Sequence, residues 1–271
     1  MFATSGKASL AYGVDGTPGE GSDVLLIHAG VTDRRSWRPL VDFLDDDRRY
    51  VSFDMRGYGE TTYEPEDYFA HQDALAVMDA AGLESAVVIG SSMGGRAAIN
   101  LALASPDRVA ALVLIGSAIS GEPRTADDPE PIATFGRLIE AAEERGDLAE
   151  VNRLEAHLWL DGPNSDEGRV AGPVRDLFLD MNGRALAAPD PGDEPEEVDA
   201  WSRLEELAMP VLVLIGTLDL PDIREHAKAI ADRVPQGRFV ELEGVAHLPH
   251  LEADPACLSA VADFLAAARR T

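Results

Sequence analysis

Ser92 stands in Gly90-Ser91-Ser92-Met93-Gly94, with a glycine two residues before it and another two residues after. Small flanks of this kind let a strand turn sharply into a helix and present the serine hydroxyl for nucleophilic attack. Ser91 does not fit, because Ile89 would take the position two before it. Such a short pattern also arises by chance at glycine-rich helix starts, so its weight depends on its surroundings. A serine hydroxyl is a poor nucleophile until a base removes its proton, and that base must be oriented by a carboxylate.

Six histidines are available as the base. His247, in Gly244-Val245-Ala246-His247-Leu248-Pro249, follows the last strand-like run, where open α/β sheets build their sites. His250 is its nearest rival, with a surface-loop residue as the plainer reading. His71, His157 and His226 fall in helical stretches and suit structural roles, and His28 is read as bracing its loop. His247 and His250 have no third histidine or cysteine nearby, so a metal site is not expected. For the carboxylate, Asp219 in Gly216-Thr217-Leu218-Asp219 directly follows an apolar strand, whereas Asp222 after Pro221 suits a helix cap. The developing oxyanion needs two backbone donors. Met93 is expected to supply one. Gly30 is expected to supply the other from His28-Ala29-Gly30-Val31, or Val31 if the loop is shifted by one.

The elements that must hold these residues are legible as alternating runs. Strands are predicted at Val24–His28, Tyr50–Asp54, Ala86–Ser91, Val109–Ile115, Val211–Gly216 and Arg238–Leu242, with an antiparallel start near Lys7–Asp15 pairing at the edge. Helices are predicted near Arg35–Leu44, Pro65–Ala81, Met93–Ala104, Pro221–Arg233 and Asp254–Arg270. Continuous apolar strands between amphipathic helices imply a doubly wound, mostly parallel α/β sheet. After Gly121 the alternation stops. Residues 121–200 carry helical patterns near Pro131–Arg145, Asp147–Trp159 and Arg169–Leu186, closing in a Pro/Gly/Asp-rich loop at residues 189–195. The expected organisation is a core of residues 1–120 and 201–271 with an inserted helical cap at 121–200. Phe135, Leu138, Trp159, Phe178 and Met181 could line a pocket, but apolar residues at helical spacing mostly bury against a core, so none is assigned to the site.

Composition narrows the partners. With 49 acidic against 23 basic residues the chain carries a charge of −26, which repels nucleic-acid phosphates and anionic membranes. Residues 121–200 alone hold 21 Asp/Glu and 7 Arg, so that segment is solvated. The longest apolar runs are strand-length, and no basic segment followed by an apolar stretch opens the chain, so a cytoplasmic location is expected. The lone Cys257 is expected to be a buried structural thiol.

These segments together resemble the α/β-hydrolase family, in its branch with a helical cap. The resemblance rests on His28-Ala29-Gly30, Asp54-Met55-Arg56-Gly57-Tyr58-Gly59, Gly90-Ser91-Ser92-Met93-Gly94-Gly95, Gly216-Thr217-Leu218-Asp219 and Gly244-Val245-Ala246-His247, in the family's order. The family usually has His-Gly where this chain has His28-Ala29, and often serine where it has Thr61. Members with an aspartate nucleophile hydrolyse epoxides or carbon–halogen bonds; Ser92 points instead to attack on a carbonyl through an acyl-enzyme, with no cofactor. A small ester or lactone is the expected substrate, neutral and apolar because the cap is acidic. The resemblance also admits a carbon–carbon bond hydrolase or enol-lactonase, a cofactor-free haloperoxidase or perhydrolase, and a non-catalytic ligand receptor.

Overall fold

The computed structural model describes residues 1–19, 21–44, 47–123, 130, 132–195 and 199–268. Its strands are β1 (Phe2–Ser5), β2 (Ala8–Gly16), β3 (Val24–Ile27), β4 (Arg49–Phe53), β5 (Thr62–Tyr63), β6 (Ala86–Ser91), β7 (Val109–Ile115), β8 (Val211–Gly216) and β9 (Gly237–Leu242). Its helices are α1 (Arg38–Leu44), α2 (Ala70–Ala81), α3 (Met93–Ala104), α4 (Ile132–Glu144), α5 (Leu148–Glu155), α6 (Pro173–Leu186), α7 (Pro221–Arg233) and α8 (Pro255–Ala267). The sheet runs β1-β2-β4-β3-β6-β7-β8-β9, with β5 against β2. Every pairing from β4 onward is parallel, while β2 is antiparallel to β1, β4 and β5.

Residues of the central strands are apolar at nearly every position because both faces of the sheet are covered. Leu25, Ile27, Val88, Leu112 and Val213 pack into the core on one face, and Val24, Leu26, Val87, Ile89, Val113 and Leu212 into the core on the other. The order reverses at β3, with β4 on one side and β6 on the other, and ligand sites of open α/β sheets form at the strand carboxyl ends around such a switch. The loops after β3, β6, β8 and β9 therefore carry Gly30, Ser92, Asp219 and His247 to the same end of the sheet.

The predicted architecture holds, with local corrections. The antiparallel start is not the edge: β1 lies outside β2, and a two-residue β5 also pairs with it. β1 has only four residues and β5 only two, too short for a periodicity to register. Helix α2 begins at Ala70 rather than Pro65. Phe69 at its N-cap offers no side-chain cap, and the Ala70 N–H donates instead to Glu194 Oε1 at 2.8 Å. A carboxylate from a distant loop thus does the capping, favourably placed at the positive end of the helix. Asp222 is not the cap of α7 either: Leu220 holds that position and Asp222 lies in the first turn. Between β7 and β8 the chain leaves the sheet for α4, α5 and α6. Pro131 and Arg270, expected as helix ends, lie outside the described residues. The stretch expected as helix to Trp159 is α5 followed by a wider π-helical turn over Ala156–Asp161, and Arg169 precedes α6, which begins at Pro173. Cys257 is buried, and burial pushes its thiol pKa up.

A buried ion pair ties the N-terminal strands to α2. Arg56, 3% exposed, donates from Nε and Nη2 to the carboxylate of Asp73 at 2.8 and 3.0 Å, from Nη1 to Glu66 Oε1 at 2.8 Å, and from Nη2 to the Ser5 carbonyl at 2.9 Å. Removing one member leaves the other charge buried without its partner. Arg56→Ala is predicted to lower the unfolding free energy by about 3–5 kcal/mol in urea denaturation; a loss below about 1 kcal/mol, the scale of a surface pair, would refute the account.

Candidate active site

Ser92 occupies the turn between β6 and α3 with φ 51° and ψ −119°, a backbone that non-glycine residues rarely adopt. The turn is held by its main chain. Ser92 N–H donates to Ile115 O at 3.0 Å, and Ser92 O accepts from Gly95 N, Arg96 N and Ala118 N at 2.9, 3.2 and 3.1 Å. A side chain at Gly90 would meet Gly94 O, and one at Gly94 would meet Ile27 O, so the two flanking glycines are needed for helix, turn and neighbouring strand to approach this closely. The Ser92 hydroxyl makes no hydrogen bond among the described residues. It faces a cleft of about 540 Å³ lined by Met93, Arg96, Ala118, Ile119, Ser120, Gly121 and Glu122.

His247 and Asp219 are brought together directly: Nδ1 lies 2.7 Å from Oδ2, with the residues 2% and 4% exposed. The second carboxylate oxygen of Asp219 accepts from Leu220 N at 2.8 Å, which fixes the group's orientation. The two loops are zipped through Leu218 N to Val245 O at 3.0 Å and Gly244 N to Thr217 Oγ1 at 2.9 Å. Gly116, one residue beyond the strand end that holds Ser92, lies under the pair: a Cβ there would stand 3.0 Å from His247 Nδ1 and 3.3 Å from Asp219 Oδ2. Strand β7 thus separates the strand that leads to Ser92 from the one that leads to Asp219, and no hydrogen bond is formed between Ser92 and His247 among the described residues.

Gly30 and Met93 are neighbours, since a Cβ on Gly30 would approach the Met93 Cε at 3.5 Å and the Tyr58 hydroxyl at 3.4 Å. The Met93 amide is in the first turn of α3, where N–H groups have no intrahelical acceptor. Neither Gly30 N–H nor Val31 N–H finds an acceptor among the described residues. Both remain available as the second donor. His28 braces this loop as expected: its Nε2 accepts from Met55 N at 3.0 Å, so Nδ1–H donates to Ala29 O at 2.8 Å.

His250 is not a surface residue. It is fully buried, stacked on Trp37 with ring centroids 4.3 Å apart, and its ring nitrogens find no hydrogen-bond partner among the described residues. The signal that could have placed it is the run of apolar neighbours, Leu248, Pro249 and Leu251. Burial, reinforced by His247, pushes its pKa down to about 3, and burial also lowers that of His28. His250 is neutral when folded but protonates near pH 6.5 when unfolded. The unfolded state therefore binds more protons below that pH, and stability falls on acidification by about 1.4 kcal/mol per pH unit at full slope for this histidine, with His28 shifted in the same direction. His250→Phe, which keeps a ring against Trp37, is predicted to flatten the loss of urea resistance between pH 6.5 and 5; an unchanged slope would argue that His250 is not the source.

The spacing of Trp159 predicts burial against a core; the residue is partly buried and also meets the site. Its carbonyl accepts from His247 N at 3.3 Å and its ring lies 4.8 Å from the imidazole. The other four residues named with it take the expected part in packing or lie outside it: Phe178 and Met181 pack with Ala29, Leu248 and Leu251, Phe135 packs with Leu154 and Leu158, and Leu138 is exposed.

A sequence profile of the alpha/beta hydrolase fold matches residues 24–254. The chain is 29% identical over 258 residues to the 2-hydroxymuconate semialdehyde hydrolase of Pseudomonas sp. (strain CF600), covering 92% of this chain and 89% of that one. It is 27% identical over 248 residues to the pimeloyl-acyl-carrier-protein methyl ester esterase of Aliivibrio salmonicida, covering 87% and 88%. It superposes on the malate-bound thermophilic esterase from Thermogutta terrifontis with a TM-score of 0.77 and 28% identity, covering 99% of this chain and 97% of that one. With the profile spanning the sheet from β3 past β9, the chain belongs to the α/β-hydrolase fold family.

Proposed function

We propose that the protein is a serine hydrolase of carboxylic esters or lactones, in which Ser92 is the nucleophile, His247 the base, Asp219 its orienting carboxylate, and Met93 with Gly30 or Val31 the oxyanion donors. The observation that carries this reading is the buried 2.7 Å His247–Asp219 contact beside the strained Ser92 turn. With Nδ1–H bound to Asp219, Nε2 is left as the acceptor for the serine proton. Ser92 Oγ then attacks the carbonyl carbon, and the carbonyl oxygen takes up the negative charge against the backbone donors. Collapse of the tetrahedral intermediate expels the alcohol, which takes the proton from His247 and leaves an acyl-serine. Water, deprotonated by His247, attacks that ester, and collapse of the second intermediate breaks the acyl–Oγ bond, releases the acid and returns the proton from His247 to Ser92 Oγ.

Residues 121–200 act in this reading as a cap over the core of 1–120 and 201–271. The substrate is small, neutral and largely apolar. Among the described residues the lining of the cleft beside Ser92 includes one arginine, Arg96, and its Nη2 donates to Glu194 at 2.6 Å, while Glu122 adds a negative charge to the lining. The described lining therefore offers no net positive charge to a carboxylate. The expected result is a higher kcat/KM for neutral short-chain esters and lactones than for matched monoesters of dicarboxylic acids. Preference for the anionic esters would overturn the substrate class, and absence of hydrolysis with every ester and lactone would overturn the reaction class.

A further inference from the structure

The guanidinium of Arg169 joins the inserted helices to the loop that carries His247. Its Nε donates to Asp161 O at 2.7 Å and its Nη2 to Leu160 O at 2.6 Å, both at the end of the π-helical turn. Nη1 and Nη2 grip the Glu252 carboxylate at 2.8 Å each, and Nη1 also reaches Gly244 O at 3.3 Å. These five contacts match the five donors of the side chain. Glu252 Oε1 in turn accepts from Ala246 N at 3.3 Å, next to His247, whose own N–H donates to Trp159 O at 3.3 Å. Arg169 itself is fixed from the other direction. The buried Asp161 carboxylate accepts from Gly168 N at 2.8 Å and Val170 N at 2.9 Å, on either side of Arg169, and from Arg175 Nη1 at 2.7 Å.

We infer that Arg169 is a positioning residue for His247, locking the π-helical turn and the His247 loop into one rigid body so that the imidazole keeps its place between Ser92 and Asp219. Nothing else among the described contacts spans both segments with a fixed, planar set of donors. A backbone shift of the loop by a fraction of an ångström would move Nε2 relative to Ser92 without unfolding the protein, and misplacement on the order of 1 Å at a reacting group can lower a rate about 10²-fold. The geometry requires the fork of an arginine; an ammonium on a flexible stem cannot reproduce five directed bonds. The inference rests on the reading of His247 as the base.

The test uses the full-length protein with Arg169→Met, Arg169→Lys, Glu252→Gln and His247→Ala, assayed on a neutral p-nitrophenyl ester. Arg169→Met is expected to lower kcat by about 10- to 100-fold with KM within about two-fold. The downfield proton NMR signal of His247 Nδ1–H against Asp219 is expected to broaden. Arg169→Lys should recover little of kcat, and guanidinium ion added at low millimolar concentration should raise the rate of Arg169→Met but not of Arg169→Lys. A wild-type kcat with an unchanged downfield signal, even at a lowered melting temperature, overturns the proposal. Should Arg169→Met fail to fold, Glu252→Gln takes its place: it keeps an acceptor for Ala246 and loses the charged bidentate grip, so a wild-type kcat there overturns the proposal equally. An active His247→Ala would instead show that the base is misassigned, a separate failure from that of Arg169.

Discussion

Ser92→Ala is expected to lower kcat/KM for a neutral p-nitrophenyl ester by about 10⁴- to 10⁶-fold, to a residual rate set by binding and the backbone oxyanion donors alone. The substitution removes one oxygen and little else. The Ser92 main chain anchors the turn through Ile115 O, Gly95 N, Arg96 N and Ala118 N, and alanine keeps all four bonds. Its side-chain oxygen contributes no hydrogen bond to the fold among the described residues. The positive φ of 51° is no harder for alanine than for serine, so the urea midpoint should stay within the error of the wild type. Intact-mass measurement after a phosphonofluoridate probe separates loss of the nucleophile from loss of the fold: the wild type gains one adduct and Ser92→Ala none. A variant that keeps more than a tenth of the wild-type rate would remove Ser92 from the reaction.

What made the turn at Ser92 legible was the coincidence of three local rules in one stretch. An apolar strand, a glycine pair at fixed offsets and a helix start all had to agree, and each reflects packing within a few residues. The same holds for β3, β6, β7 and β8, whose apolar runs need both faces covered, and for α3 and α7, found with the predicted bounds. Residues whose role is set by distant chain were not legible. Glu194 caps α2 across 124 positions of sequence, Trp159 reaches His247 from the inserted helices, and Arg169 reaches Glu252 across 83. No periodicity or motif encodes such contacts, because they depend on where the inserted segment settles. The π-helical turn was hidden for a related reason. Its residues, Ala156–Asp161, follow α5 without a break, and Ala156 and Leu160 share one buried cluster with Ala29 and Leu248, contacts that no local pattern announces. A polar residue in a loop reads as exposed, but the apolar neighbours of His250, with Trp37, carry it inward.

Asp219→Asn is expected to lower kcat about 10⁴-fold at neutral pH with KM little changed, through the tautomer of His247 rather than through lost packing. In the native site the carboxylate accepts from Nδ1–H at 2.7 Å and from Leu220 N at 2.8 Å. The amide of asparagine matches the carboxylate in shape, and Leu220 N still needs its acceptor. The oxygen therefore turns to Leu220 and the NH2 faces Nδ1. A donor facing Nδ1 favours the imidazole with its proton on Nε2, the nitrogen that takes the proton of Ser92 in the proposed mechanism. The base is then present, buried and in place, but blocked. Asp219→Ala leaves Nδ1 without a fixed partner, so its imidazole can adopt either tautomer, and its rate should fall less than that of Asp219→Asn even though it disturbs packing more. That ordering discriminates between the two explanations of the loss. If alanine proves the slower variant, Asp219 acts mainly by holding the loop. If neither variant loses more than about ten-fold, the carboxylate serving His247 is another residue, with Asp222 in the first turn of α7 the next to replace.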